Sequence, residues 1–226
     1  LVELTVLAHA SADVGALPLA LVESLAVEAV GIRTLALTEI EPLPSGFRGE
    51  FLAKIAPGAM IGDWRYGVPA SITMAQGILE SGWGKVAPGY NLFGIKGEGS
   101  AGSQVHRVVE WRGRKRSVKR ASFRSYRSMA ESLEDHARLL GTAERYAAAR
   151  AVSDNAPLYA KALQGKYATD PRYASKLIEL SLRYGLDRFD WHGVVPFAHP
   201  PAEQVPVVIS ESPEWTAFAA GDPNAG

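Results

Sequence analysis

The chain of 226 residues is long enough for one domain with flanking segments and too short for two large ones. Apolar residues make up 47%, enough for a full core, and the formal net charge is zero, so overall charge gives no reason to expect nucleic acid. The absence of cysteine excludes disulfides and thiolate metal sites.

Three regions differ in texture. In residues 1–45, Val2, Leu4 and Val6 alternate with polar residues as in a strand. Ser11 or Asp13 then suits the cap of a helix through Leu19, Leu21, Leu25 and Ala29, and Ile32 to Ile40 again reads as a strand. So short a unit cannot bury enough surface to stand alone. The most apolar stretch, Val14 to Leu37, is interrupted by Glu23, Glu28 and Arg33 and is not read as a membrane span. The first residues lack the basic segment and cleavage site of a signal peptide, and a start at Leu1 fits a processed or trimmed end.

Residues 46–190 read as mostly helical. Pro69 suits the first turn of a helix ending near Glu80, with Gly82 as its stop. Val105, Val108, Val109, Trp111 and Val118 flank the turn-prone Arg112-Gly113-Arg114, which predicts a β-hairpin. Ser128 and Glu131 have capping-box spacing ahead of Met129, Leu133, Ala137 and Leu140, with Gly141 read as the stop. Pro157 opens a short helix that Gly165 ends. Thr169-Asp170-Pro171 starts a last helix with Tyr173, Leu177, Leu180 and Tyr184 inward. Residues 191–226, rich in proline, read as an extended tail.

Glu80 is the foremost candidate for chemistry. It ends an apolar helix beside Trp83, where desolvation and the helix C-terminus both oppose ionisation. A general acid working near neutrality requires such a raised pKa. A solvated glutamate at a helix end is the plain alternative. Trp83, Phe93 and Trp111 are either sugar-stacking walls or core aromatics. Arg112 to Arg120 is a solvated hairpin tip or a contact for anionic cell-wall polymers or stem-peptide carboxylates, and its charges lack the interleaved aromatics of a nucleic-acid surface. The five histidines do not cluster at ligand spacing, His136 reads as a satisfied helix residue, and no metal or other cofactor is expected.

Glu80-Ser81-Gly82-Trp83-Gly84 followed by Asn91-Leu92-Phe93-Gly94-Ile95-Lys96 resembles the signature of the peptidoglycan glucosaminidases, family 73 of the glycoside hydrolases. Phe123-Arg124-x-Tyr126, the Ser132 to His136 helix, Arg145-Tyr146 and Tyr167-Ala168-Thr169-Asp170-Pro171-x-Tyr173-Ala174 resemble it too, in the expected order. The resemblance covers about Phe47 to Asp190. It implies an α+β, mainly α fold: a lysozyme-like helical lobe, a small β-hairpin lobe and a groove between them. It implies cleavage of peptidoglycan strands after N-acetylglucosamine, in the periplasm or outside the cell. Glu80 is then the proton donor and Glu110 the second carboxylate that activates water. Tyr167 reads as a groove phenol that holds the acetamido group or steadies charge at the anomeric carbon, or else as a packing residue. Glu110 is otherwise an exposed strand glutamate among arginines, and the family often has threonine where Val108 stands. Trp83, Asn91, Phe93, Trp111, Tyr126 and Tyr173 are the substrate-binding candidates, although Tyr173, one turn into its helix, is better suited to the core. Asp170 reads as a helix cap. A muramidase or lytic transglycosylase on the same scaffold, and a non-catalytic wall-binding module, are the competing readings. The Asn91 to Lys96 run favours glucosaminidase over transglycosylase.

Overall fold

The computed structural model describes residues 42–112 and 115–191, and of 108–112 and 115–117 the backbone alone. The expected N-terminal strand–helix–strand unit, the proline-rich tail and the Gly113-Arg114 turn lie outside the described residues. What is described is mostly helical with one small sheet. The chain runs α1 (Phe47–Tyr66), α2 (Ala70–Ser81), β1 (Ser103–Arg112), β2 (Lys115–Arg124), α3 (Met129–Thr142), α4 (Ala147–Arg150), α5 (Ala156–Leu163) and α6 (Tyr173–Tyr184). Among the described residues, no helix is long and apolar enough to cross a membrane.

Helix α2 is the centre of the helical part. Every residue from Ala70 to Ile78 is buried, including Ser71, Thr73 and Gln76, as expected of a helix enclosed on all sides. The residue that precedes it, Pro69, offers no side-chain cap. Two distant carboxylates supply the acceptors instead. Asp63 of α1 accepts from the Ala70 N–H at 3.2 Å, and Asp190 accepts from the Ser71 N–H at 2.6 Å and the Ser71 hydroxyl at 2.7 Å. Asp63 also accepts from the Trp191 N–H, which fastens the end of the described chain to the same helix terminus. Two negative groups at this end also complement the helix dipole.

Helix α1 keeps Pro57 in its interior, where the missing N–H forfeits a helical hydrogen bond. Packing on α3 sustains it. Gly58 and Gly62 of α1 face Leu133 and Ala137 of α3, and a Cβ at either glycine would come within 2.7 Å of those side chains. Gly141 makes the reciprocal approach, so the expected stop at Gly141 is corrected: α3 runs on to Thr142 and Gly141 is a packing position. A Cβ on Gly141 would stand 2.5 Å from the Tyr66 Cβ and 2.9 Å from its carbonyl oxygen. Alanine gains about 1 kcal/mol of helix propensity over glycine. Overpacking against backbone costs about 1–3 kcal/mol. Gly141→Ala is therefore expected to lower stability by up to about 2 kcal/mol in denaturant titrations, and a stabilised variant would contradict this packing.

The caps at α3 and α5 are local. The Ser128 hydroxyl accepts from the Glu131 N–H at 3.2 Å, while the Glu131 carboxylate reaches the Arg127 N–H rather than that of Ser128, so the capping box is only half reciprocal. Asn155 accepts from the Leu158 N–H with Pro157 in the first turn. The hairpin is antiparallel in the register Ser103↔Arg124 to Arg112↔Lys115.

Candidate active site

Glu80 is exposed at the end of the otherwise buried α2. The next four residues explain why the chain leaves the helix here. Gly82 takes a left-handed conformation, φ 57°, and its N–H closes on the Ile78 carbonyl. The Ser81 hydroxyl donates to the Gly77 carbonyl at 2.5 Å and accepts from the Gly84 N–H at 2.7 Å. Trp83 keeps a positive φ of 66°, strained for a bulky residue. Gly84, also at positive φ, lies where a Cβ would meet the Phe51 ring at 2.8 Å. The E-S-G-W-G run is thus a helix terminator that holds Glu80 at the protein surface.

Burial of its surroundings raises the Glu80 pKa above the ordinary carboxylate value, opposed by a hydrogen bond from Tyr173 and the charge of Lys176. Tyr173, fully within the core, is oriented for this by Gln76, whose Nε2 donates to the Tyr173 oxygen at 2.8 Å. The phenol's single proton is then left for Glu80. Gln76 was absent from the sequence-derived candidates, although it stands one turn before Glu80 on α2 and spacing alone puts the two on one face. Tyr167 stacks on Tyr173 with ring centroids 5.9 Å apart and donates its hydroxyl proton to the Phe93 carbonyl at 3.0 Å. Burial, then the proximity of Tyr173 and Glu80, pushes the Tyr167 pKa well up. The fold therefore brings Glu80 together with Tyr167 and Tyr173 from two separate parts of the chain.

Several expected groove residues lie inside. Phe93 is 2% exposed and stacks on His136 at 3.8 Å, so its ring is unavailable to a sugar. Asn91 is buried, its amide committed to the Ile95 N–H and carbonyl and to the Arg124 carbonyl. Tyr126 is buried and donates to Asp135 at 2.7 Å. The expectation of direct substrate contact is corrected for these three, which support the structure from behind, while the burial of Tyr173 agrees with its reading as a core residue. Trp83 is half-buried, edge-on to Phe47, Phe51 and Tyr184, with the Arg48 guanidinium 5.2 Å from its ring. Asp170 accepts from the Arg172 N–H at 2.9 Å and pairs with Lys176, ordering the turn into α6.

Glu110 and Trp111 lie on β1, opposite Ser117 and Arg116, and their side chains are outside the described residues. The base of the hairpin is tied to α3 through Asp135, which accepts from Arg124, Tyr126 and Arg138. Burial opposes its ionisation, but the hydrogen bonds from Tyr126 and Arg124 and the nearby guanidinium charges hold its pKa below the ordinary value.

His136 corrects a further expectation. It is fully buried and neither ring nitrogen has a hydrogen-bond partner. Burial lowers its pKa to about 3, opposed by the charge of Asp135. The folded protein thus keeps His136 neutral while the unfolded chain takes up a proton below about pH 6.5. Its contribution to stability is complete above that pH and drains away as the pH falls towards 3. Denaturant midpoints are expected to fall on acidification from pH 6.5 to 4, at up to about 1.4 kcal/mol per unit from this group. His136→Leu should lack that share of the slope; an identical slope in the variant would refute the assignment. Among the described residues no cluster of His, Asp or Glu could hold a metal ion.

A helical domain with a surface carboxyl of raised pKa at the end of its central buried helix, backed by ordered phenols, is an arrangement suited to general acid catalysis. The sequence profile of the glucosaminidases, described as mannosyl-glycoprotein endo-beta-N-acetylglucosaminidase, matches residues 57–186, and the chain belongs to that family. It is similar to an autolysin of Enterococcus faecalis, 39% identical over 158 residues, which are 65% of this chain and 21% of that protein. A probable N-acetylmuramidase of Lactococcus lactis is also 39% identical over 158 residues, 62% of this chain and 34% of that protein. The crystal structure of the catalytic domain of the autolysin Auto from Listeria monocytogenes aligns with a TM-score of 0.58 at 34% identity, covering 67% of this chain and 93% of that one. The chain therefore spans about a fifth and a third of the two relatives, but nearly all of the isolated catalytic domain.

Proposed function

We propose that the protein hydrolyses the β-1,4 bond after N-acetylglucosamine in peptidoglycan strands, in the cell envelope, with Glu80 as general acid. The observation that carries this reading is the state of Glu80: exposed to a ligand, yet raised in pKa by the protein around it. The raised pKa keeps the proton for the glycosidic oxygen. The Tyr173 hydroxyl then stabilises the carboxylate left behind. The strand lies in a groove between the helical lobe and the hairpin, Trp83 and Trp111 being its aromatic contacts. Glu110 assists attack by water. Tyr167, whose own proton goes to Phe93, accepts from the substrate acetamido N–H.

Digestion of purified sacculi followed by analysis of the new reducing ends tests the bond cleaved. N-acetylglucosamine at the reducing end supports the proposal. Muramic acid would instead support the muramidase reading, which the name of the Lactococcus relative favours. The anhydro product would indicate a transglycosylase. The anomer of the first product and the rates of Glu110→Gln and Tyr167→Phe test the water-attack scheme. An α-anomer with a severely impaired Glu110→Gln supports it. A β-anomer with an active Glu110→Gln would shift the chemistry to the substrate's own acetamido oxygen.

A further inference from the structure

The hairpin concentrates the charge of a chain that is neutral overall. Residues 103–124 hold eight of the 24 Lys and Arg and one of the 24 Asp and Glu, a net of seven positive charges that leaves seven negative on the rest. Arg124 at its base is engaged by Asp135. Arg107 and Arg120 stand directly opposite each other in the register and make no ion pair among the described residues. Like charges in that position destabilise a hairpin. Strand alternation places Val105, Arg107, Val118, Arg120 and Ser122 on one face, and all five are exposed, the valines at 54% and 48%. His106, Ala121 and Phe123 on the other face are half-buried. The outward face is thus a cationic pair flanked by bare valines.

We infer that this face binds the free carboxylates of peptidoglycan stem peptides. The inference rests on peptidoglycan being the substrate, as proposed above. Guanidinium forks match carboxylates in two-point geometry, and an anion between Arg107 and Arg120 removes their mutual repulsion. The flanking valines suit small apolar side chains of a peptide, whereas a polyol-phosphate polymer offers them nothing to cover. The hairpin that carries Glu110 would then be drawn towards peptide-bearing strands.

The test uses the full chain as Glu80→Gln, with and without the pair Arg107→Gln and Arg120→Gln. Binding is measured on three materials: intact walls, sacculi freed of phosphate polymers, and the same sacculi freed of stem peptides by an amidase. Losing two exposed ion pairs is expected to weaken binding to phosphate-free sacculi about fivefold. The difference should shrink as salt is raised. On peptide-free glycan the two proteins should bind alike. Equal binding to phosphate-free sacculi overturns the inference. So does a loss seen only on walls that keep their phosphate polymers, or an equal loss on peptide-free glycan. Cleavage of peptide-free glycan by the unmodified enzyme is a separate readout: its absence would count against the proposed hydrolase activity and leaves the binding comparison intact.

Discussion

Glu80→Gln is expected to lower hydrolysis of purified sacculi by at least about 100-fold, with a melting temperature near that of the parent. General acid catalysis is worth about 100- to 10,000-fold, and an amide has no proton to give. The fold should tolerate the change because Glu80 is exposed and glutamine is its isostere. The helix-ending contacts of Ser81, Gly82 and Gly84 do not involve the Glu80 side chain. Tyr173 still finds an acceptor in the amide oxygen. Turbidity loss of a wall suspension and thermal melting, measured on the same preparations, decide the matter. More than a tenth of parental activity in a correctly folded variant would remove Glu80 from the role of acid.

The second large effect is structural. Asp190→Ala is expected to destabilise the protein by about 3–5 kcal/mol, since hydrogen bonds to a charged group contribute about 1.5–3 kcal/mol each and two are lost. The Ser71 N–H and hydroxyl would be left buried without this acceptor, at the N-terminus of the helix that carries Glu80. The conservative Asp190→Asn keeps one acceptor oxygen and should lose less. Because the damage is at the far end of α2, activity per folded molecule should survive at low temperature, which separates this role from catalysis. A melting curve for Asp190→Ala that matches the parent would show that Asp63 caps α2 unaided.

The local elements were legible from neighbouring residues alone. Gly82 after the helix, the Ser128 cap and the two arms of the hairpin each depend on groups within a few positions, so short-range chemistry suffices to name them. Glu80 stood out for the same reason: its apolar helix and its glycine-rich exit are contiguous in sequence. Helix α1 was not legible as one element. Pro57 and the glycines at 58 and 62 argue against a 20-residue helix when read locally, and only Leu133 and Ala137 on α3 explain why small residues are required there.

The tertiary structure alone settled which polar and aromatic groups face solvent. Phe93, Asn91 and Tyr126 are as suited to a groove as to a core by residue type, and they became buried supports because α3 and the hairpin base close over them. Gly141 reads as a stop until Tyr66 is seen against it. His136 reads as a satisfied helix residue until Phe93 and Tyr167 are seen around it. The cap of α2 comes from Asp190, 119 residues from Ser71 along the chain. The local caps and stops and the candidate Glu80 were legible from interactions within a few residues. The burial of polar groups, the partners of the phenols and the distant caps depend on which segments meet, and a single sequence carries no local signal for that.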